Sequence, residues 1–282
     1  MNKFICLVAL LLSGFSSQAQ FKLEKPVFSG IYFQWGYNRD WYSKSDIRLR
    51  DGDKYDITIY DVVAKDKPDF SYYKDHPFDI TIPQNSYRIG FYLNKKHTHA
   101  IEINYDHAKY VQVDNQTLRM KGQIGGKQVD ADTNLGQYLI HVEHTNGANF
   151  YHLNYVGQTE LWHGKKNDRT MATAVWKAGA GVVIPKSFII AFYQKLDNRF
   201  KVAGYIASVE AGFRFYPLKH LFLEATGKSG FANYLDALGV GTGRVSHHFW
   251  YGEVVGLVGY DMSLNFLKRK PKTAQDLKPG TM

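Results

Sequence analysis

The sequence predicts an all-β fold of eight long antiparallel strands. Aromatic residues make up 15% of the 282 residues and there are 25 glycines, a composition that favours strands over helices. Apolar and polar residues alternate along stretches of about nine to fifteen residues, as expected when successive side chains point to opposite faces. No stretch after residue 20 is apolar for the roughly 18 residues that a membrane-spanning helix needs.

The N-terminus has the three parts of a secretory signal peptide. Lys3 supplies a positive charge, residues 4–12 form an apolar run, and small and polar residues follow. We expect residues 1–19 to be removed by cleavage after Ala19. The only cysteine, Cys6, lies inside this segment, so the exported chain would have no disulfide and no thiolate chemistry.

The alternation is clearest after residue 201. One face carries Ala203, Tyr205, Ala207, Val209, Ala211, Phe213 and Phe215. The opposite face carries Ser208, Glu210, Gly212 and Arg214. A short turn at 217–220 leads into a second alternating run from Leu221, which predicts a long hairpin.

Six further segments alternate in the same way: 30–38, 86–94, 99–106, 149–162, 170–181 and 247–266. Strands of soluble β-sandwiches usually have about five or six residues. The greater length of these segments, together with the signal peptide, favours strands that cross a membrane with their apolar face towards lipid. A soluble periplasmic β-protein that binds glycans is the alternative.

The connections alternate between short and long. The short ones, expected on the periplasmic side, are 95–98, 163–169 and 217–220. The long ones, expected outside, are 39–85, 107–148, 182–200 and 231–246. Stretches 55–63 and 117–124 are strand-like and should extend the hairpins above the membrane. The predicted fold is thus an antiparallel eight-stranded transmembrane β-barrel with long outer loops.

Charged residues recur on the polar face of the predicted strands. The expected charge network of the barrel lumen comprises Arg88, Glu102, Glu160, Lys177, Glu210, Arg214, Glu224, Lys228 and Glu253. Because opposite charges occur in nearly equal number, they predict a packed, salt-bridged interior rather than an open pore.

The last segment resembles the C-terminal signature of outer-membrane β-barrel proteins. Alternate positions carry Val258, Tyr260, Met262, Leu264 and the aromatic Phe266. The resemblance implies a small eight-stranded barrel over residues 20–266 in a Gram-negative outer membrane. It also implies contact with outer-membrane lipids and lipopolysaccharide, and recognition by the barrel-assembly machinery through the strand ending at Phe266. A basic tail, 267–282, departs from the signature and is expected to be disordered in the periplasm.

One stretch, 143–149, loosely resembles the His-x-Ser-Asn stretch of outer-membrane lipid A deacylases. Of that motif, only the histidine has a counterpart here, His144, as a candidate general base. No nucleophile is assigned. Residues at strand ends could converge on it, so the candidate catalytic residues are Asp106, His107, His144, Ser246 and His247. The alternative role of these side chains is to cap turns and make interfacial hydrogen bonds.

Other ligand classes have little support in the sequence. His97, His99 and the pair His247 and His248 lack a third ligand at fixed spacing, so we expect no metal and no cofactor. The formal net charge of +9 suggests anionic lipid head groups or glycans, and no nucleic-acid fingerprint accompanies it. The tryptophans are expected in an interfacial girdle.

Two functions from different classes fit these patterns. The first is a non-enzymatic barrel with a binding or envelope-structural role through its long outer loops. The second is a lipid A or phospholipid acyl hydrolase with a histidine-based site at the outer rim. The sequence leaves open whether the protein is an enzyme.

Overall fold

The computed structural model describes residues 28–263, apart from 69, 77–83, 137, 146, 167 and 197–198. The described residues form antiparallel strands and one short helix, α1 (Phe70–Asp75). No described helix has the length and apolar character needed to span a membrane. The predicted signal peptide, the strand end at Leu264 and Phe266, and the predicted tail lie outside the described residues.

The all-β, antiparallel prediction is confirmed. In chain order the strands are β1 (Gly30–Tyr42), β2 (Ser45–Asp51), β3 (Tyr55–Val62), β4 (Ala64–Lys65), β5 (Asn85–Tyr92), β6 (His99–Asp106), β7 (Tyr110–Gln112), β8 (Gln116–Ile124), β9 (Lys127–Leu135), β10 (Ile140–His144), β11 (Phe150–Gly164), β12 (Arg169–Val183), β13 (Phe188–Ala191), β14 (Gln194–Lys195), β15 (Gly204–Phe215), β16 (Leu221–Leu238) and β17 (Arg244–Ser263).

Eight of these strands pair in a closed ring. Their order is β1, β5, β6, β11, β12, β15, β16 and β17, and β17 pairs back onto β1. The closing pair runs from Gly30 opposite Ser263 to Tyr42 opposite Tyr251. We call the end of the ring with the connections 93–98, 165–168 and 216–220 the short-turn end.

One predicted loop is wrong. Residues 231–246 instead form the end of β16, a tight turn and the start of β17. The strands continue because Ala232, Tyr234 and Phe249 are buried on one face, which keeps the hydrophobic alternation going past the expected end. Two backbone hydrogen bonds close the glycine-rich turn: Gly239 N–H donates to the Gly243 carbonyl, and Gly243 N–H donates to the Val240 carbonyl.

Glycines in the ring strands make room for aromatic rings. A Cβ atom at Gly90 would lie 2.0 Å from the Tyr32 ring, and one at Gly259 would lie 2.2 Å from the Phe222 ring. The interior near the short-turn end is therefore filled by large rings lying against bare backbone, which accounts for part of the glycine content.

At the other end, the connections fold into what we call the β-extension. Its first sheet continues from β17 through β2, β3, β8 and β9, and its second sheet has the order β14, β13, β10, β7, β4. Stretches 55–63 and 117–124 are strands, as predicted, and they pair with each other. One hydrophobic cluster joins both sheets and includes Ile47, Leu49, Ile57, Ile59, Ile140, Val142 and Ile189.

Candidate functional site

Charged side chains fill the interior of the ring. The charge cluster consists of Arg88, Glu102, Asp106, Lys177, Glu210, Arg214, Glu224, Lys228 and Glu253, each exposed by no more than 4%. Sequence reasoning placed Asp106 among the catalytic candidates, but the structure places it in this cluster. Burial of charge is tolerated only with partners of opposite sign, and these side chains supply them to one another.

Two ion pairs cross the full diameter of the ring. Arg88 on β5 donates to Glu210 on β15 at 2.6 Å, and these strands lie four places apart in the ring of eight. Lys228 on β16 bonds Asp106 on β6, again four places away, and also contacts Glu253 at 2.9 Å. Contacts of this kind require that the side chains meet in the middle of the ring.

The remaining cations complete the cluster. Lys177 donates to Glu102 at 3.1 Å and to Glu224 at 2.7 Å. Arg214 contacts Glu224 at 2.6 Å, and its guanidinium lies 4.1 Å from the centroid of the Phe222 ring. Ion pairs and aromatic rings thus occupy the cross-section at this level, as a packed interior requires.

The prediction for Glu160 is wrong. Its side chain is 45% exposed and bonds His163 and Thr170 instead of the charge cluster. The neighbouring strand β6 begins at His99, which pairs with Gly157, so residues of β11 beyond Gly157 have no strand partner on that side. The alternation predicts an inward side chain for Glu160. Because β6 does not extend to this level, the ring is not closed around Glu160 and its side chain lies in solvent.

The outside of the ring carries an apolar belt. We define this belt by exposed side chains at alternate strand positions, namely Phe33, Ile89, Ile103, Leu153, Trp176, Val209, Phe213, Leu223, Val254 and Val258. On β15, Val209 is 62% exposed whereas Ser208 and Glu210 are buried, as the alternation predicts. Apolar side chains outside and charges inside are the reverse of the arrangement in water-soluble proteins.

Exposed aromatic residues mark both edges of the belt. Tyr205 and Phe215 stand ten residues apart on β15, as do Trp250 and Tyr260 on β17. At about 3.3 Å per residue and a strand tilt of roughly 40°, this spacing corresponds to a band about 25 Å tall. Trp162 extends the edge at the short-turn end, where its ring stacks on Phe215.

Two of the candidate catalytic residues meet in the β-extension. The Nε2 atoms of His144 and His247 are 3.1 Å apart. His144 Nδ1 lies 2.6 Å from Ser187 Oγ, and His247 Nδ1 lies 3.4 Å from Ser45 Oγ. All four side chains are buried, and burial lowers the pKa of His144 to about 3, so its imidazole is neutral.

The other candidates do not join this histidine cluster. His107 shares a hydrogen bond with the Tyr105 hydroxyl, and burial lowers its pKa to about 4. Ser246 precedes His247 on β17 and therefore points to the opposite face. Ser187 and Ser45 were missed because tertiary packing of separate connections brings them to the histidines, and no local sequence pattern marks them.

The contact between Ser187 and His144 resembles two members of a hydrolase catalytic triad, the serine and the histidine. A serine hydroxyl beside an imidazole fits a nucleophile and its base, and a carboxylate commonly orients the base. Here a second imidazole, that of His247, occupies the carboxylate position, and both members of the contact are buried. In this arrangement the Ser187 hydroxyl and the His144 imidazole are therefore shielded from solvent.

A second titratable group on the β-extension is His141, which is not among the candidate catalytic residues. His141 Nδ1 lies 2.7 Å from Asp114 and its Nε2 lies 3.0 Å from Glu143. A neutral imidazole has one N–H, so two carboxylate bonds require the imidazolium form. Burial opposes that charge, but the hydrogen bonds to Glu143 and Asp114 raise the pKa of His141 overall. Lys67 contacts the same Glu143 at 3.2 Å.

Metal binding has no structural candidate in the part of the chain that the structure describes. No group of three or more His, Cys, Asp or Glu side chains there could hold a metal ion.

No protein-family model and no curated protein sequence matches the chain. Among solved structures, it is similar to the outer membrane protein OprG from Pseudomonas aeruginosa, with a TM-score of 0.39 and 12% identity over 83% of this chain and 96% of that chain. It is similar to the outer membrane protease OmpT from Escherichia coli, with a TM-score of 0.37 and 7% identity over 86% and 99%. The outer membrane protein AlkL gives a TM-score of 0.37 and 10% identity over 89% and 98%.

Proposed function

We propose that the chain is an eight-stranded outer-membrane β-barrel with a packed polar interior, which holds the β-extension at the cell surface for binding. The observation that carries this proposal is the apolar belt between two aromatic edges. Its height of about 25 Å matches the outward apolar band of outer-membrane barrels. A soluble glycan-binding protein would expose this belt to water, where an apolar patch of that size is unfavourable.

The packed interior supports a role other than conduction. Ion pairs such as the one between Arg88 and Glu210 cross the ring where a channel would need open space. The β-extension, in contrast, has a hydrophobic core of its own and presents a preformed surface. Binding or envelope stabilisation through this surface is therefore the function that the architecture favours.

The orientation of the barrel follows from the strand ends. Gly30 and Ser263 pair with each other at the short-turn end, opposite the β-extension. The resemblance to outer-membrane barrels implies short turns in the periplasm, and this supports a β-extension outside the cell.

Fractionation and gel mobility test this proposal. The mature chain should sediment with the outer membrane and migrate faster unheated than boiled on a detergent gel. Protease added to intact cells should cleave the β-extension and leave the belt strands protected. Recovery of the chain in the soluble periplasm after osmotic shock would refute the proposal.

A second candidate function is acyl hydrolysis of lipid A or phospholipid, favoured by the 2.6 Å contact between Ser187 and His144. Substrate access would require movement of the second sheet, because both side chains are buried. Mass spectrometry of extracted lipids should then show an acyl change with the wild-type gene that Ser187→Ala abolishes. An identical acyl pattern with and without the gene would eliminate this candidate.

A further inference from the structure

The short-turn end carries a rim of exposed lysines. Lys95 and Lys96 lie between β5 and β6, Lys165 and Lys166 between β11 and β12, and Lys219 between β15 and β16. Each of the three turns thus presents at least one ammonium group to solvent. Within the described ranges, none of these five lysines forms an ion pair with a carboxylate.

The described carboxylates near this rim contact histidines rather than the lysines. Glu160 and Asp168 both contact His163, at 3.3 and 3.1 Å from its two ring nitrogens. Asp261 contacts the His220 ring at 3.0 Å. The described carboxylates at this end therefore contact histidines, and none of them forms an ion pair with these lysines.

The rim lies at the level where lipid head groups would be. Trp162, Phe215 and Tyr260 mark the belt edge here, and Leu218 is exposed beside Lys219. Tryptophan and tyrosine prefer the boundary between acyl chains and head groups. Lysines immediately beyond that boundary are at the height of the lipid phosphates.

A cavity opens in the same place. The hairpin of β11 and β12 continues beyond the ring and borders an open surface cavity of about 460 Å³, lined by Trp162, His163, Gly164, Lys165, Lys166 and Met171. Its lining residues include a tryptophan and a methionine, which can make apolar contacts, and two lysines. His163 is saturated by its two carboxylates, so the lysines are the groups left to bind an anion.

We propose that this cavity and the lysine rim bind the head group of an anionic phospholipid in the leaflet that faces the short turns. The lysine ammonium groups would contact the lipid phosphate, while Trp162 and Met171 would contact the first carbons of the acyl chains. A zwitterionic lipid carries its own cation and gains less from the rim. This inference depends on the proposed membrane barrel.

Lipid binding to the folded protein tests the inference. The mature chain is placed in phosphatidylcholine nanodiscs, and its affinity for phosphatidylglycerol is measured by native mass spectrometry. The double variant Lys165→Gln and Lys166→Gln should bind phosphatidylglycerol roughly 30-fold more weakly, since each lysine near an anionic surface contributes about a factor of five. The matched control, Lys127→Gln and Lys195→Gln on the β-extension, should bind as the wild type does.

The remaining outcomes distinguish failure of the lipid site from failure of the proposed membrane barrel. A double variant that migrates as a folded barrel but keeps wild-type affinity overturns the lipid site and leaves the proposed function intact. Displacement of the lipid by millimolar inorganic phosphate overturns it in favour of a free-phosphate site. A wild-type chain without heat-dependent mobility overturns the barrel and this inference together.

Discussion

Replacement of Arg88 by Met tests whether the interior of the ring is packed. Arg88 is fully buried and contacts Glu210 at 2.6 Å and Glu224 at 3.5 Å, with Glu102 and Asp106 at 4.0 Å. Methionine keeps an unbranched apolar stem but is shorter and has no N–H donor, so the substitution removes both the positive charge and its hydrogen bonds. Lys177 and Lys228 cannot replace it, because both already contact carboxylates of the cluster.

The expected loss of unfolding free energy is about 3–5 kcal/mol, the usual cost of removing one partner from a buried ion pair. The matched control is Arg48→Met. Arg48 donates two hydrogen bonds to Asp56 at 2.8 and 2.6 Å, but the pair is exposed and should contribute at most about 1 kcal/mol. Adding Glu210→Gln to Arg88→Met should recover part of the loss, because it removes a stranded carboxylate.

Denaturant unfolding in detergent, followed by heat-dependent gel mobility and tryptophan fluorescence, measures these differences. If Arg88→Met and Arg48→Met destabilise the protein equally, the interior is hydrated and the packed charge cluster is refuted. If the double variant is no more stable than Arg88→Met alone, the contact with Glu210 is not the dominant one.

Three further predictions follow from the belt, the glycines and the β-extension. Val209→Arg, near the middle of the belt, should lower the unfolding free energy of the protein in lipid bilayers by about 2–4 kcal/mol. An unchanged unfolding free energy in bilayers would contradict a lipid-facing position for Val209. Gly259→Val should lower the unfolding free energy by about 1–3 kcal/mol, because a Cβ atom there would meet the Phe222 ring. The control Gly252→Val, which has open space around its Cβ position, should leave the unfolding free energy nearly unchanged in the same assay. The pKa of His141 is raised in the folded protein, so its two carboxylate bonds should stabilise the β-extension fully below the unfolded pKa of about 6.5. This stabilisation should be lost as the pH rises through the folded pKa of His141. Hydrogen exchange of the β-extension should show this pH dependence, and His141→Gln should abolish it.

The architecture was predictable from the sequence because each strand has one apolar and one polar face. Val209 and Glu210 differ in exposure as the alternation requires. The extent of β16 and β17 was not predictable, because Asn233, Asp236 and Gly239 resemble loop residues. Only the structure shows that Asp236 pairs with Lys201 alongside a continuing strand.

The charge cluster was predictable for the same reason, since inward positions recur at every second residue. Glu160 departs from it because alternation carries no information about where the neighbouring strand ends. Convergence of His144 and His247 was expected, but His144 lies on β10 of the β-extension rather than on a strand of the ring, and the partners of His141 could not be expected. Asp114 reaches His141 through the folding of a connection whose path no local pattern specifies.

The most direct test of the account is single-cysteine labelling at two adjacent positions of β15. Removal of the predicted signal peptide takes away the only cysteine of the chain, so each introduced thiol is unique. A fluorophore on Val209→Cys should be quenched by lipid-dissolved quenchers and inaccessible to aqueous ones. A fluorophore on Ser208→Cys, on the buried face, should be quenched neither by lipid-dissolved nor by aqueous quenchers. Equal aqueous labelling at both positions would contradict the membrane barrel, and quenching at 208 rather than 209 would reverse the assignment of its two faces.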